Sequence, residues 1–286
     1  MTPPAGSPAV PIRRVLSNVW SPQRDTQRDI DIYLPASYRR VKRRYPVVYM
    51  QDGQNLADPH RAFAGTWNLE AAIAALAVRG IEAIFVGIPN MGAERIREYS
   101  PFFDVKHGGG DGDAYLAYVE RTVKPLVDRR FRTRPERAAT GIFGSSMGAL
   151  ISLYGYFRAP DTFGFVGAMS PSLWFASRAI ISYIERDGAP PGRIYLDVGS
   201  EEGAGTLRDA RQLADVLSRK GYTQRDLRFV EVTGGQHKEA HWGERLVPAL
   251  EFLLDPLKEV RKRPGGVRSR SSSHQGCSEF EITIEI

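Results

Sequence analysis

Short apolar runs alternate with amphipathic stretches along most of this chain. DIDIYLP (29–35) switches between polar and apolar residues, the period-two signature of a half-buried strand, and RYPVVYMQDG (44–53) carries an apolar run that ends in a glycine turn. TWNLEAAIAALAVRG (66–80) places its apolar residues at helical spacing, with Thr66 as the expected N-cap and Gly80 as the stop. The pattern then repeats, with strands predicted over 82–89, 136–144, 164–170, 193–199 and 227–235. Helices are predicted over 114–131, 149–157, 178–186, 206–221 and 241–254, the first of them kinked at Pro125. Alternation of this kind predicts an α/β fold with right-handed crossovers, in which helices cover both faces of a mostly parallel sheet. Ligand sites in such sheets lie beyond the carboxyl ends of the strands, so the strand-to-helix loops are the places to look for chemistry.

One of those loops carries a motif. Gly144-Ser145-Ser146-Met147-Gly148 matches G-x-S-x-G and joins an apolar strand directly to an apolar-periodic helix. A serine at the apex of so tight a turn needs glycines two residues to either side, because a Cβ there would obstruct the approach of strand and helix. The apex is Ser146. The helix that follows aims its N-terminal N–H groups at the site, and the Met147 N–H is placed to bind a developing oxyanion.

A serine hydroxyl is a weak nucleophile at neutral pH unless a histidine takes its proton and a carboxylate orients that histidine. After a nucleophile elbow the chain order is acid, then histidine. His60 and His107 precede Ser146 and His274 lies in the tail, which leaves His237 and His241. His237 falls in the loop after the 227–235 strand and is the candidate base, with His241 one turn into the helix. The spacing H-K-E-A-H is not the H-E-x-x-H of a zinc helix, so no metal is expected. Asp197 lies inside a strand and is expected to face packing. Glu201 and Glu202 both stand just past the strand end, and the residues themselves do not separate them.

Composition bounds the rest. The chain has 286 residues, 42% hydrophobic and 25% charged, which suits a soluble domain with a large core. Residues 1–24 are expected to form a flexible leader, the first eleven holding four prolines, and 25–257 the domain. The net charge of +6 is concentrated in the tail. Residues 258–270 hold six basic residues and one acid, which leaves +1 for everything else, so a specific nucleic-acid site is not expected. The tail, 258–286, reads as disordered and basic, with a strand-like end in SEFEITIEI. One cysteine, Cys277, no apolar run of membrane-spanning length and no secretory leader make a cytoplasmic protein without a membrane partner the expectation.

Several segments carry a resemblance. RDIDIYLPASYR (28–39), RYPVVYMQDGQNLAD (44–58), RIREYSPF (95–102), GSSMGAL (144–150), SPSLWF (170–175), DVGSEE (197–202) and GGQHKEAHW (234–242) occur in this order over about residues 25–255. Together they resemble the "Putative esterase" family of α/β-hydrolases, which includes enterochelin (siderophore) esterases, feruloyl and acetylxylan esterases, S-formylglutathione hydrolase and the antigen 85 mycolyltransferases. The resemblance implies an α/β-hydrolase fold, Ser146 as nucleophile and His237 as base. It puts the acid three residues after the strand-end Gly199, at Glu202, and a second oxyanion N–H on Gln54, after Asp52-Gly53. It further implies hydrolysis of a small-molecule ester through an acyl-enzyme, with no cofactor. Acyl transfer of the antigen 85 type and a non-catalytic binding protein on the same fold are the alternatives. The elbow departs from the G-H-S-M-G-G of the S-formylglutathione branch, and siderophore-esterase-like is the nearest fit, without the N-terminal β-sandwich of the larger enterochelin esterases. Arg95, Arg97 and Tyr99 are candidates either for binding an anionic substrate group or for anchoring their loop. Trp174 is a candidate for core packing or, less readily, for a pocket wall.

Overall fold

The computed structural model describes residues 11–257. Among the described residues ten strands occur in chain order: β1 (Ile12–Ser21), β2 (Thr26–Leu34), β3 (Val47–Gln51), β4 (Ile84–Ile88), β5 (Phe103–Asp104), β6 (Gly108–Gly109), β7 (Thr140–Ser145), β8 (Phe165–Met169), β9 (Arg193–Gly199) and β10 (Leu227–Val232). The helices are α1 (Leu69–Val78), α2 (Arg95–Glu98), α3 (Gly112–Tyr118), α4 (Lys124–Arg130), α5 (Met147–Arg158), α6 (Phe175–Arg186), α7 (Ala204–Arg219) and α8 (Glu239–Leu254). Eight strands form one sheet in the order β1-β2-β4-β3-β7-β8-β9-β10. Its first two pairings are antiparallel and the rest parallel. β5 and β6 pair as a small hairpin apart from it.

Period two divides the core. In β3, Val47 and Tyr49 pack to one side of the sheet while Val48 and Met50 pack to the other, and β4 separates Ile84 and Val86 from Phe85 in the same way. The first side is closed by apolar positions of α3, α5, α6 and α7, including Leu116, Leu150, Ile180 and Leu213. The second is closed by α1 and α8, through Leu69, Ile73, Leu246 and Leu250. Because both faces are covered, every residue of β3, β4 and β8 is buried, which is why these strands read as unbroken apolar runs.

Three expectations need correction and one, the third below, gains detail. The leader is not unstructured throughout: residues 12–21 form β1, an edge strand antiparallel to β2. Its register shifts between Leu16 and Val19, where Asn18 adopts φ 54° and donates its N–H to Asp29 Oδ1 at 2.8 Å, so no clean alternation marks it. Thr66 is not the cap of α1. Asn68 holds that position, and Thr66 Oγ1 accepts the Asn68 N–H at 3.3 Å. The helix over 114–131 passes Pro125 through a π-helical segment, Val119–Val123, between α3 and α4; the wider winding ahead of the proline accommodates its missing N–H. The fourth concerns Trp174, which is half exposed and meets His107 and Phe175 in edge-type ring contacts rather than joining the core. The 258–286 tail lies outside the described residues. Among the described residues, no helix is long and apolar enough to cross a membrane.

Candidate active site

The segments that follow β3, β4, β7 and β10 line one cleft. β7 ends at Ser145 and α5 begins at Met147, leaving Ser146 alone at the turn with φ 55° and ψ −124°. Such a conformation costs a non-glycine residue about 1–3 kcal/mol and persists only when its surroundings fix it. They do so here. The Ser146 N–H donates to Met169 O at 3.0 Å, and Ser146 O accepts N–H bonds from Ala149, Leu150 and Ser172. A Cβ on Gly144 would lie 2.4 Å from the backbone carbonyl of Gly148, so the elbow closes only with glycine there. Gly144→Ala is expected to lower unfolding stability by about 2 kcal/mol or more, since backbone cannot yield as a side-chain tip can; urea denaturation of the purified variant checks it.

His237 sits in the loop between β10 and α8, and this loop is braced from several directions. Gly235 O accepts the Glu201 N–H at 3.0 Å, the Gln236 N–H donates to His241 Nδ1 at 3.0 Å, and Gln236 Nε2 donates to Glu201 Oε2 at 2.5 Å. The Trp242 and His237 rings meet in a T-shaped contact with centroids 4.9 Å apart. His241 and Glu201, the two rejected alternatives, therefore support the loop and do not face Ser146.

These supports bring the predicted residues together. His237 Nε2 is 2.9 Å from Ser146 Oγ, and His237 Nδ1 is 2.8 Å from Glu202 Oε2. With Glu202 ionised, all three groups are satisfied when Nδ1–H donates to the carboxylate and Nε2 accepts the serine hydroxyl. The Glu202 side chain is 1% exposed whereas its histidine partner is 44% exposed, so the carboxylate is shielded while the imidazole faces the cleft. Burial alone would push the Glu202 carboxyl up, but bonds from His237, the Ser170 hydroxyl and the Gly199 N–H together hold it below the usual carboxylate range.

The second oxygen of Glu202 has its own partners, and they are ones the sequence did not single out. Oε1 accepts from Ser170 Oγ at 2.6 Å and from the Gly199 N–H at 2.8 Å. Ser170 Oγ in turn accepts from Trp242 Nε1 at 3.0 Å and Arg245 Nη2 at 3.2 Å. The guanidinium of Arg245 lies 3.3 Å from Asp197, which also accepts from the Tyr195 hydroxyl and the Ser170 N–H. Asp197 thus faces the interior as expected, and burial pushes its carboxyl up to about 6. Ser170 and Trp242 lie within SPSLWF and GGQHKEAHW, two segments of the resemblance; Arg245 had no signal of its own.

Gln54 lies in a short 3-10 turn, Gly53–Asn55, directly after β3, and lines the same cleft as Ser146 and His237. Met147 is the first residue of α5 behind the serine. The cleft has a volume of about 830 Å³. Phe63 and Trp242 provide apolar wall, Arg61, Asn90, Arg95 and Glu239 polar wall. The loop arginines are anchors: Arg95 forks onto Asp52 with two bonds of 2.8 Å, and Arg97 pairs with Asp111 at 2.8 Å and Glu94 at 3.4 Å. Tyr99 is fully buried, and its hydroxyl accepts the Asp52 N–H.

Comparison with known proteins bears on the family and the fold. The model of the family described as "Putative esterase" matches residues 21–253. Over 242 residues the chain is 27% identical to the uncharacterized protein YbbA of Bacillus subtilis, covering 79% of this chain and 92% of that one. It is 31% identical over 142 residues to the siderophore triacetylfusarinine C esterase of Aspergillus fumigatus, covering 48% of this chain and 47% of that protein. Among solved structures, the enterobactin esterase FES from Shigella flexneri, determined in the presence of enterobactin, superposes with a TM-score of 0.69 at 20% identity, over 86% of this chain and 59% of the other. The chain therefore spans less than two thirds of either esterase. The fold is that of the α/β-hydrolases.

Proposed function

The chain belongs to the "Putative esterase" family, and from that premise we propose that it is a serine carboxylic-ester hydrolase acting through Ser146, His237, Glu202 and an acyl-enzyme. The observation that carries this reading is the unbroken relay from Ser146 Oγ through both ring nitrogens of His237 to a shielded Glu202. Ser146 Oγ attacks the ester carbonyl carbon as its proton passes to His237 Nε2, and Glu202 stabilises the imidazolium without taking the proton. The carbonyl π electrons move to the oxygen, which the Gln54 and Met147 N–H groups stabilise. Collapse breaks the bond to the alcohol oxygen, which leaves with the proton from His237. Water then attacks the acyl-enzyme by the same route, with His237 again as base, and returns the serine and a carboxylic acid.

The substrate class we assign is a bulky ester of the siderophore type. Two similarities support this, to a fungal triacetylfusarinine C esterase and to an enterobactin esterase, together with a cleft of about 830 Å³ that mixes apolar and polar wall. The test is hydrolysis of p-nitrophenyl acetate, butyrate and octanoate beside labelling with a fluorophosphonate. Turnover of at least one ester and a single label on Ser146 are expected. A folded protein that neither hydrolyses nor takes the label would refute the proposal.

A further inference from the structure

Asp52 stands at the end of β3, 3% exposed, with φ 53° and ψ 46°. The left-handed conformation is unfavourable for a residue with a Cβ, and it decides where the chain goes next: it swings Gly53 and Gln54 under the cleft. Nothing in the reaction written above uses the Asp52 side chain. Yet that side chain is among the most fully bonded in the molecule. Arg95 Nε donates to Oδ1 and Arg95 Nη2 to Oδ2, both at 2.8 Å, and Asn90 Nδ2 donates to Oδ1 at 2.6 Å. Its backbone N–H donates to the buried Tyr99 hydroxyl at 3.0 Å.

The same segment also holds Gln54 directly, because the Asn90 N–H donates to Gln54 Oε1 at 3.2 Å. The grip is rooted in the core: Arg95 lies over the Tyr99 ring at 5.2 Å, and Tyr99 packs on Tyr115. At the end of α2, Glu98 is buried and paired with Arg28 at 2.6 Å and Arg24 at 3.1 Å. On the opposite side Gly53 is wedged against β4, where an added Cβ would lie 2.5 Å from the Gly87 carbonyl carbon. The turn carrying Gln54 is thus fixed from both sides.

We propose that Arg95, with Asn90 and Tyr99, is a positioning clamp: by gripping Asp52 in its left-handed conformation it fixes the Gln54 N–H at the distance from Ser146 that oxyanion stabilisation requires. This rests on the esterase reading above. Arg95 acts through Asp52 and Gln54 and need not touch substrate, because two of its donors are already committed to Asp52. A bidentate fork of this kind is specific to arginine, since lysine offers a point charge without the planar geometry.

The experiment compares wild type with Arg95→Met, Arg95→Lys, Tyr99→Phe and Arg97→Ala on p-nitrophenyl butyrate, with turnover expressed per site titrated to completion by a fluorophosphonate. Counting reactive sites removes any fraction that fails to fold. A misplaced oxyanion donor lowers kcat, so Arg95→Met is expected to lose about 10- to 100-fold in kcat with KM within about threefold. Arg95→Lys should recover part of that loss, Tyr99→Phe should lose less than Arg95→Met, and Arg97→Ala, two residues along the same loop, should match wild type. A rise in KM at unchanged kcat would overturn the clamp in favour of direct substrate binding, and unchanged kcat per titrated site in Arg95→Met would overturn it outright. Wild type that takes no label would instead refute the esterase reading, and the clamp with it.

Discussion

Alanine at Ser146 or at His237 is expected to lower kcat for ester hydrolysis by on the order of 10⁴- to 10⁶-fold, and the double variant by no more than the worse single one. The two losses are the same loss, because Ser146 Oγ becomes a useful nucleophile only as His237 Nε2, 2.9 Å away, takes its proton. Remove either and what survives is binding and the oxyanion donors, which do not depend on the relay. The Ser146→Ala arm has a built-in complication that makes it informative. Ser172 Oγ lies 3.2 Å from Ser146 Oγ, so a second hydroxyl stands beside the nucleophile. Residual turnover above about 1% in Ser146→Ala would contradict the assignment of the nucleophile, and the mass of the phosphonate-labelled peptide would show whether Ser172 had taken its place. Equal KM values across the series would confirm that chemistry and not binding had been removed.

The parts of this molecule that the sequence made legible are those governed by local rules. β3, β4, β7, β8 and β9 are apolar on both faces because helices cover both faces, so each was visible as a short run, and the elbow was visible because its glycines are dictated by a turn of five residues. β1 was hidden for an equally local reason: its bulge breaks the alternation at Leu16–Val19, leaving a strand with few buried residues. The support for Glu202 was hidden for a different one. Ser170 follows β8, Gly199 ends β9, and Trp242 and Arg245 stand one turn apart on α8, so they meet only when the sheet order β8-β9-β10 and the docking of α8 exist. No spacing along the chain encodes that meeting. The loop 90–113 was likewise opaque in detail: its arginines could face substrate or anchor the loop, and only the pairing of Arg95 with the buried Asp52 and of Arg97 with Asp111 decides for anchoring. Trp174 shows the limit of hydrophobicity as a guide, since a large apolar residue at the start of a helix stayed half exposed against His107.

Replacing Glu202 by glutamine is expected to lower kcat by on the order of 10³- to 10⁴-fold while leaving the fold intact, whereas Glu201→Gln should stay within about threefold of wild type. The reason is hydrogen-bond polarity, not charge alone. In wild type both carboxylate oxygens accept: Oε1 from the Gly199 N–H and the Ser170 hydroxyl, Oε2 from His237. A glutamine has one accepting oxygen, and two donors on the Oε1 side compete for it against one. The amide oxygen therefore settles toward Gly199 and Ser170, and the NH₂ group turns to His237 Nδ1. Nδ1 must then accept, the ring proton moves to Nε2, and the imidazole presents a donor to Ser146 Oγ where the reaction needs an acceptor. Glu201 faces Gln236, so the same substitution there leaves the tautomer untouched. The pH dependence carries a sign that can be checked independently. Because the Glu202 carboxyl is held below its ordinary 4.5, the folded state releases that proton at lower pH than the unfolded chain. Its contribution to stability is present above pH 4.5 and is lost as pH falls through the folded value, so the stability gap between wild type and Glu202→Gln should narrow below pH 4.5. Urea unfolding at stepped pH measures that gap. A gap that instead widened on acidification would mean the Ser170, Gly199 and His237 bonds do not hold the carboxylate ionised, and the orientation of His237 would need another cause.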